Sequence, residues 1–120
     1  MQKVMLAEDD PTMLSLLRTL LTMEGFETAA LGDKEDVLEA LRREVPDIVL
    51  LDVNLPHGNG IDFLRRIRQD KLLAKTSVIM SSGMPLEAEC LAAGADFFLL
   101  KPYMPDVLIN AIKNELAGHE

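Results

Sequence analysis

The chain of 120 residues has a single cysteine, Cys90, and no tryptophan. A lone cysteine cannot close an internal disulfide, and without a Cys-x-x-Cys pair the chain also lacks the usual thiolate metal site. Aromatic residues make up only 4% of the chain, whereas 48% of its residues are hydrophobic, so the core must be mostly aliphatic. At this length we expect one domain that spans residues 1–120.

Long apolar runs and an excess of basic residues are also absent. No run comes near the roughly 20 residues that a membrane-spanning helix needs, and the first residues show no signal-peptide cleavage pattern, which predicts a cytoplasmic protein with no membrane partner. The chain has 12 basic residues against 20 acidic ones, for a net charge of −8. Because a field of that sign repels phosphate backbones, we do not expect this domain alone to bind nucleic acid.

The most informative segment that is present leads into Asp52. Residues 48–51 form an unbroken apolar run, Asp52 follows it, and a turn rich in proline and glycine occupies residues 56–60. This pattern predicts a strand buried on both faces that ends in a carboxylate. Open α/β sheets bind ligands at the carboxyl ends of their strands. We therefore predict that Asp52 is a nucleophile that accepts a phosphoryl group.

Strand-like and helix-like segments alternate along the whole chain, which predicts a parallel sheet with helices on both faces. The first helix is predicted to follow an Asp10 cap and run to about Glu24, the third to run to about Leu72, and the last to begin near Pro105 and leave a short tail that includes His119. The predicted strands cover residues 4–7, 26–30, 48–52, 76–82 and 95–100. Other charged positions are predicted to be solvated, namely His57, Arg65, Arg66 and Arg68.

Polar side chains follow four of the five predicted strands. They are Glu8, Asp9, Asp52, Ser82 and Lys101. Since the ends of parallel strands share one edge of the sheet, we expect these groups to converge there. Carboxylates in one crevice repel each other, and Mg²⁺ bound directly by the two aspartates would relieve that repulsion. The lysine would help to neutralise a phosphoryl group, and the serine hydroxyl would donate to it.

Two neighbours of these residues are assigned differently. Asp10 is predicted to cap the first helix rather than to bind metal. Ser81 is predicted to be structural, although a shift of one residue in strand register would exchange it with Ser82.

Taken together, these motifs resemble the receiver domains of two-component response regulators. The resemblance covers essentially the whole chain and rests on residues 5–11, residues 50–56, Gly60, residues 94–96 and the Lys101-Pro102 pair. It implies a flavodoxin-like (βα)5 fold, a doubly wound parallel sheet with strand order 2-1-3-4-5. It also implies a signalling switch rather than an enzyme, with at most self-phosphorylation from small phosphodonors and autodephosphorylation.

The same resemblance implies a role for each site residue. Asp52 would be phosphorylated, and Lys101 would pair with the phosphate. Ser82 and Phe98 would be the switch positions. The residues implied to hold Mg²⁺ are Asp52, Asp9, Glu8 largely through water, and the backbone carbonyl of Asn54. The implied phosphoryl donor is a sensor histidine kinase or a histidine phosphotransfer protein, with an output domain, a target protein or a second copy of the chain as further partners.

One segment departs from the family pattern. The stretch between Ser82 and Lys101 is shorter than usual by about three residues, nearly one helical turn. Gly83 and Pro85 also disfavour regular structure, so we expect a fourth helix that is short, displaced or irregular, with a weak helical pattern over 86–93. The family's usual dimer and output face cannot be carried over to this segment. Met104 occupies the position where a capping Ser or Thr is expected.

Two other functions stay open at this point. A Mg²⁺-dependent phosphatase can also use a nucleophilic aspartate, but the Asp-x-Asp signature of those enzymes is absent from the first strand. A pseudo-receiver would bind a protein partner without phosphorylation. A flavin-binding version of the fold is disfavoured, because the first loop, residues 8–11, presents negative charge where a phosphate would lie.

Overall fold

The computed structural model describes residues 1–117, so the predicted tail with His119 lies outside the described residues. Within this range the chain forms seven strands: β1 (Lys3–Ala7), β2 (Glu27–Ala30), β3 (Ile48–Asp52), β4 (Asn54–Leu55), β5 (Gly58–Asn59), β6 (Ser77–Ser82) and β7 (Phe97–Leu100). Five of them form a parallel sheet in the order β2-β1-β3-β6-β7, and β4 and β5 form a small antiparallel ribbon. This order confirms the predicted flavodoxin-like topology.

Helices cover both faces of the sheet. They are α1 (Pro11–Met23), α2 (Val37–Glu44), α3 (Gly60–Gln69), α4 (Glu87–Ala92) and α5 (Pro105–Ala117). Two apolar clusters lie between sheet and helices. We call them the α1/α5 cluster, which contains Leu6 and Leu50, and the α2/α3/α4 cluster, which contains Met5 and Leu51. Successive strand residues alternate between the clusters, as the pleat of a strand requires. Among residues 1–117, no helix has the length and apolar character needed to cross a membrane.

Side-chain hydrogen bonds explain where the first helix begins and where the third helix ends. Asp10 caps α1 as predicted, because its Oδ1 accepts hydrogen bonds from the backbone N–H groups of Thr12 (2.9 Å) and Met13 (3.2 Å). The prediction that α3 reaches Leu72 is wrong, since α3 ends at Gln69. Asp70 leaves the helical conformation, and its side chain instead accepts from the next turn, including the N–H of Leu72 at 2.9 Å.

The fourth helix is short, as predicted. It has only six residues, and Leu86 before it offers no side-chain cap. The connection from β6 to β7 is therefore compact, and Gly94, with φ of +111°, reverses the chain after the helix. Strand β7 also begins later than expected, at Phe97 instead of residue 95.

The prediction that Arg68 belongs to a solvated face is wrong. Its guanidinium donates to the backbone carbonyls of Gly94 (2.9 Å), Thr76 (2.5 Å) and Ala74 (3.2 Å). It also pairs with Asp96 at 2.9 Å, and the same Asp96 oxygen accepts the N–H of Val78 at 2.8 Å. One side chain thus joins the loops that precede β6 and β7 at the amino-terminal edge of the sheet.

We expect Arg68→Ala to lower the free energy of unfolding by about 2–3 kcal/mol, because three carbonyls and a carboxylate lose their donor. Urea unfolding followed by circular dichroism measures this change. Arg65→Ala is the matched control: its pair with Asp62 is largely exposed, 59% and 68%, and should contribute no more than about 0.5 kcal/mol. Equal effects of the two substitutions would contradict this interpretation of Arg68.

Candidate functional site

Strand alternation brings three charged side chains to one place. Leu6, Leu50 and Leu99 belong to the α1/α5 cluster. Glu8, Asp52 and Lys101 each follow one of these leucines by two residues, so they lie on the same side of the sheet, at its carboxyl edge. Here β1 and β7 flank β3 and β6, which explains how residues 93 positions apart in the chain come into contact.

Lys101 is the centre of this group. Its Nζ lies 2.7 Å from Oδ2 of Asp52 and 3.2 Å from the Glu8 carboxylate. The carboxylates are almost fully buried, with side chains 1% (Glu8) and 6% (Asp52) exposed, whereas the Lys101 side chain is 28% exposed. The backbone N–H of Asp10 donates to the Glu8 carboxylate as well, at 3.2 Å. A single ammonium group therefore serves two buried acids.

The pKa values of Glu8 and Lys101 reflect this arrangement. Burial raises the pKa of Glu8, and the nearby Asp52 adds to that effect, although the Asp10 N–H and Lys101 oppose it. Burial alone would lower the pKa of Lys101, but hydrogen bonds and attraction from Asp52 and Glu8 outweigh it, so that its pKa is raised. The lysine is held in its charged form, and the acids depend on it.

The acidic residues are also suited to a metal ion. One carboxylate oxygen from each of Glu8, Asp9 and Asp52 lies within 4.8 Å of the other two, with Asp9 exposed and the other two buried. Hard divalent cations such as Mg²⁺ prefer such oxygen ligands and keep several waters, which the exposed side of the group permits. Asn54 begins β4 two residues beyond Asp52 and is exposed. The described residues therefore fit the predicted metal, with the Asn54 carbonyl as a further ligand still a prediction.

Gly60 holds the turn against the site. A Cβ atom at this position would meet the carbonyl oxygen of Asp52 and would lie 2.9 Å from Cα of Val53. Its N–H donates to the carbonyl of Val53 at 2.7 Å. Only glycine permits the start of α3 to approach the end of β3 so closely.

Gly60→Ala should therefore lower the free energy of unfolding by about 2 kcal/mol or more, since the backbone around Asp52 must move. Gly83→Ala is the control, because a Cβ there meets nothing within 4 Å. Denaturant unfolding of both variants tests the difference. Similar stabilities for the two would show that the turn tolerates a side chain.

The serines lie on opposite sides of the sheet. Ser81 Oγ donates to Oδ1 of Asp52 at 3.3 Å, whereas Ser82 Oγ accepts from the backbone N–H of Met84 at 3.0 Å. Ile79 explains the difference: it belongs to the α1/α5 cluster, so Ser81 shares its side with Asp52. The prediction that Ser81 is structural misses this contact with Asp52, although strand alternation, followed from the apolar residues of β6, was a signal that could have found it. The role of Ser82 stays a prediction.

Two phenylalanines and one histidine lie near the site. Phe98 is buried in the α2/α3/α4 cluster, whereas Phe97 is exposed, so Phe98 is the inward residue of the pair and its switch role stays a prediction. The prediction that His57 is solvent-exposed is wrong. It is half-buried, with Nε2 2.8 Å from the carbonyl oxygen of Gly32, which ties the β4–β5 ribbon to the loop after β2. No sequence pattern indicated that contact.

Comparisons with known proteins agree with this fold and site. The family model described as the response regulator receiver domain matches residues 4–113. The DNA-binding response regulator MtrA of Mycolicibacterium smegmatis is 37% identical over 99% of this chain and 52% of its own length. The transcriptional regulatory protein CpxR of Escherichia coli is 39% identical over 94% of this chain and 48% of its own length. The receiver domain of the Francisella response regulator 1452 superposes with a TM-score of 0.91 at 25% identity, covering both chains completely.

The chain therefore belongs to the receiver domain family of two-component response regulators. It spans about half the length of the curated relatives it matches. Proteins of this family act as signalling switches, and the present chain has their flavodoxin-like fold.

The dependence of both acids on one lysine gives a direct test. We expect Lys101→Met to lower the stability of the metal-free protein by about 2 kcal/mol, less than for a fully buried ion pair because Lys101 is partly exposed. Mg²⁺ should then restore more stability to the variant than it adds to the parent protein, since it supplies the missing positive charge.

Lys113→Met is the matched control, because Lys113 pairs on the surface at 2.7 Å with Glu24, which lies at the carboxyl end of α1, the opposite end from the site. Thermal unfolding with and without MgCl2 measures all three proteins. If Mg²⁺ stabilised Lys101→Met no more than it does the control, Mg²⁺ would not replace the charge of Lys101 at the carboxylates, and the expected dependence of both acids on one cation would be wrong.

Proposed function

We propose that this receiver domain accepts a phosphoryl group on Asp52 from a phosphohistidine, on a sensor histidine kinase or a histidine phosphotransfer protein, and switches conformation in response. The observation that supports this most is the contact of one ammonium group, that of Lys101, with two buried carboxylates. Asp52 accepts a hydrogen bond from that ammonium group and ends its strand at the carboxyl edge of the sheet, where open α/β sheets bind their ligands. Glu8 adds the charge that makes an additional cation favourable.

In the proposed reaction an oxygen of the Asp52 carboxylate attacks the phosphorus atom. A phosphorus–oxygen bond forms, the phosphorus–nitrogen bond of the donor breaks, and its electron pair stays with the imidazole that leaves. Lys101, already hydrogen-bonded to Oδ2, orients the carboxylate and stabilises the negative charge of the phosphoryl oxygens. The Oδ1 atom is oriented by Ser81. Little more than positioning and charge is required for this class of reaction.

The proposed cofactor is Mg²⁺, held by Asp9 and Asp52 directly, by Glu8 largely through water, and by the backbone carbonyl of Asn54. When bound, it would neutralise negative charge on the phosphoryl group and the carboxylates. The proximity of the three carboxylates supports this assignment.

The proposed switch begins at Ser82. Its hydroxyl holds the N–H of Met84, at the start of the connection to α4. If that hydroxyl turned to a phosphoryl oxygen on Asp52, Met84 would lose its acceptor and the segment before α4 would be released. Phe98, buried on the α2/α3/α4 side next to β6, would repack in response. Of the six residues of α4 only Cys90 is buried, so little apolar area opposes such a change.

The output of the switch is inferred from relatives. MtrA is described as a DNA-binding response regulator and CpxR as a transcriptional regulatory protein, and each is about twice as long as this chain. We propose that this domain likewise acts on an output domain or a target protein. Its own net charge of −8 makes the domain itself a poor ligand for nucleic acid.

The test is intact-protein mass spectrometry after incubation with acetyl phosphate and MgCl2. We expect one phosphoryl adduct on the parent protein, none without Mg²⁺ and none on Asp52→Asn. Asp47→Asn is the matched control, because Asp47 precedes the same strand at the opposite edge, where it accepts the N–H of Lys3 at 2.7 Å. It should be phosphorylated like the parent.

Two results would contradict the proposal. Rapid release of phosphate with no adduct at short times would indicate the aspartate-based phosphatase. Neither adduct nor released phosphate would indicate the pseudo-receiver, which binds its partner without phosphorylation.

A further inference from the structure

The hydroxyl of Tyr103 has no role in the group formed by Lys101, Glu8 and Asp52. Tyr103 is the only tyrosine of the chain, and its ring packs on the α1/α5 cluster. Its hydroxyl oxygen is buried, and among residues 1–117 it has no hydrogen-bond partner. Phenylalanine would fill the same space without burying an unsatisfied polar group. Buried hydroxyls normally have a partner, so this one calls for an explanation.

Tyr103 lies next to the group formed by Lys101, Glu8 and Asp52. Tyr103 follows Lys101 by two residues. It packs on the same cluster as Leu6 and Leu50, which precede Glu8 and Asp52 by two residues each. The ring therefore lies under the same side of the sheet edge as the two carboxylates.

The ionisation of Tyr103 agrees with this placement. Burial raises its pKa, and the nearby negative charges of Glu8 and Asp52 raise the pKa further. The phenol therefore stays protonated at any physiological pH. It is available only as a hydroxyl, which can donate a hydrogen bond to an anionic oxygen.

Glu8 is the group that will need such a donor. In the structure it has two partners, the Lys101 ammonium and the backbone N–H of Asp10. A phosphoryl group on Asp52 brings new anionic oxygens to Lys101, which is already closer to Asp52 than to Glu8. When Lys101 turns to those oxygens, a carboxylate that is 1% exposed loses its ammonium partner, and the proposed Mg²⁺ contacts Glu8 largely through water instead of directly. A buried carboxylate in that position is costly unless another donor replaces the ammonium.

We propose that Tyr103 is a positioning residue of this site, whose hydroxyl donates a hydrogen bond to Glu8 when Lys101 moves to the phosphoryl group. The proposal rests on the proposed function, because it needs phosphorylation of Asp52. It gives phosphorylation a second effect inside the domain, distinct from the Ser82 switch. The segment between Lys101 and the start of α5 at Pro105 is drawn toward β1.

The test uses beryllofluoride with Mg²⁺ as a stand-in for the phosphoryl group, and Tyr103→Phe, which removes only the hydroxyl. We expect the variant to bind beryllofluoride roughly tenfold more weakly, the factor for one hydrogen bond to a charged group. Without ligand it should be as stable as the parent or more so, since an unsatisfied hydroxyl is gone. Thr19→Val is the control, because the Thr19 hydroxyl donates to the Ser15 carbonyl at 3.0 Å on the exposed side of α1. This substitution should change neither the stability nor the beryllofluoride affinity much.

A purely structural hydroxyl would give the reverse result. Tyr103→Phe would then be less stable than the parent without ligand, and its beryllofluoride affinity would be unchanged. That outcome would overturn the proposal.

The absence of tryptophan provides a spectroscopic readout that does not depend on affinity. All tyrosine emission comes from Tyr103. A hydrogen bond from a phenol to a carboxylate quenches its emission, so we expect emission to fall when the parent protein is saturated with beryllofluoride. The fall should be absent from Glu8→Gln at saturation, with binding verified by thermal shift. Unchanged emission in a saturated parent protein would overturn the proposal.

Failure of this proposal and failure of the proposed function give different results. If beryllofluoride does not bind the parent protein, or binds Asp52→Asn equally well, the phosphoacceptor function itself is wrong and both proposals fall. If binding depends on Asp52 but Tyr103→Phe matches the parent in affinity and stability, only the role of Tyr103 is wrong.

Discussion

The site depends on one interaction, the contact of the Lys101 ammonium with the carboxylates of Asp52 and Glu8. Removing two acids from water is costly unless a cation accompanies them, and here one lysine at 2.7 and 3.2 Å serves both. The arrangement of these three groups holds only while no further ion binds at the site. Any new anion on Asp52, or any added cation, changes what each of the three groups can bind. The proposed phosphorylation switch would act through this shared partner.

The fold brings these three side chains together at the edge of the sheet. Strand β3 is buried along its whole length and lies at the centre of the sheet, with β1 on one side and β6 on the other. Its last residue can therefore be an acid at the edge while the preceding residues anchor it in both apolar clusters. The glycine at position 60 lets the chain turn away closely enough to leave that edge open. The proposed switch lies on the other side of the sheet, where the connection through α4 is short.

Much of this could be predicted from the sequence, because the pattern of apolar runs and strand-end acids is local. The parallel sheet and the convergence of Asp52, Lys101 and the acidic pair followed from such patterns, whereas the strand order and the short fourth helix were expected from the resemblance to receiver domains. The contacts that could not be predicted are hydrogen bonds from side chains to backbone carbonyls far away in the sequence. Arg68 bonds carbonyls up to 26 residues away, and His57 bonds Gly32. Position-by-position alternation, by contrast, was available and separates Ser81 from Ser82.

The most direct test of the central claim is to locate the phosphoryl group chemically. The protein is phosphorylated briefly in the presence of Mg²⁺ and then treated with borohydride, which reduces an acyl phosphate to an alcohol and leaves free carboxylates unchanged. Peptide mapping then identifies the altered residue. We expect one reduced aspartate, at position 52, in a peptide that is unchanged without the phosphodonor. Reduction at Asp9 or Glu8, or at no residue while a phosphoryl adduct is present on the intact protein, would contradict it.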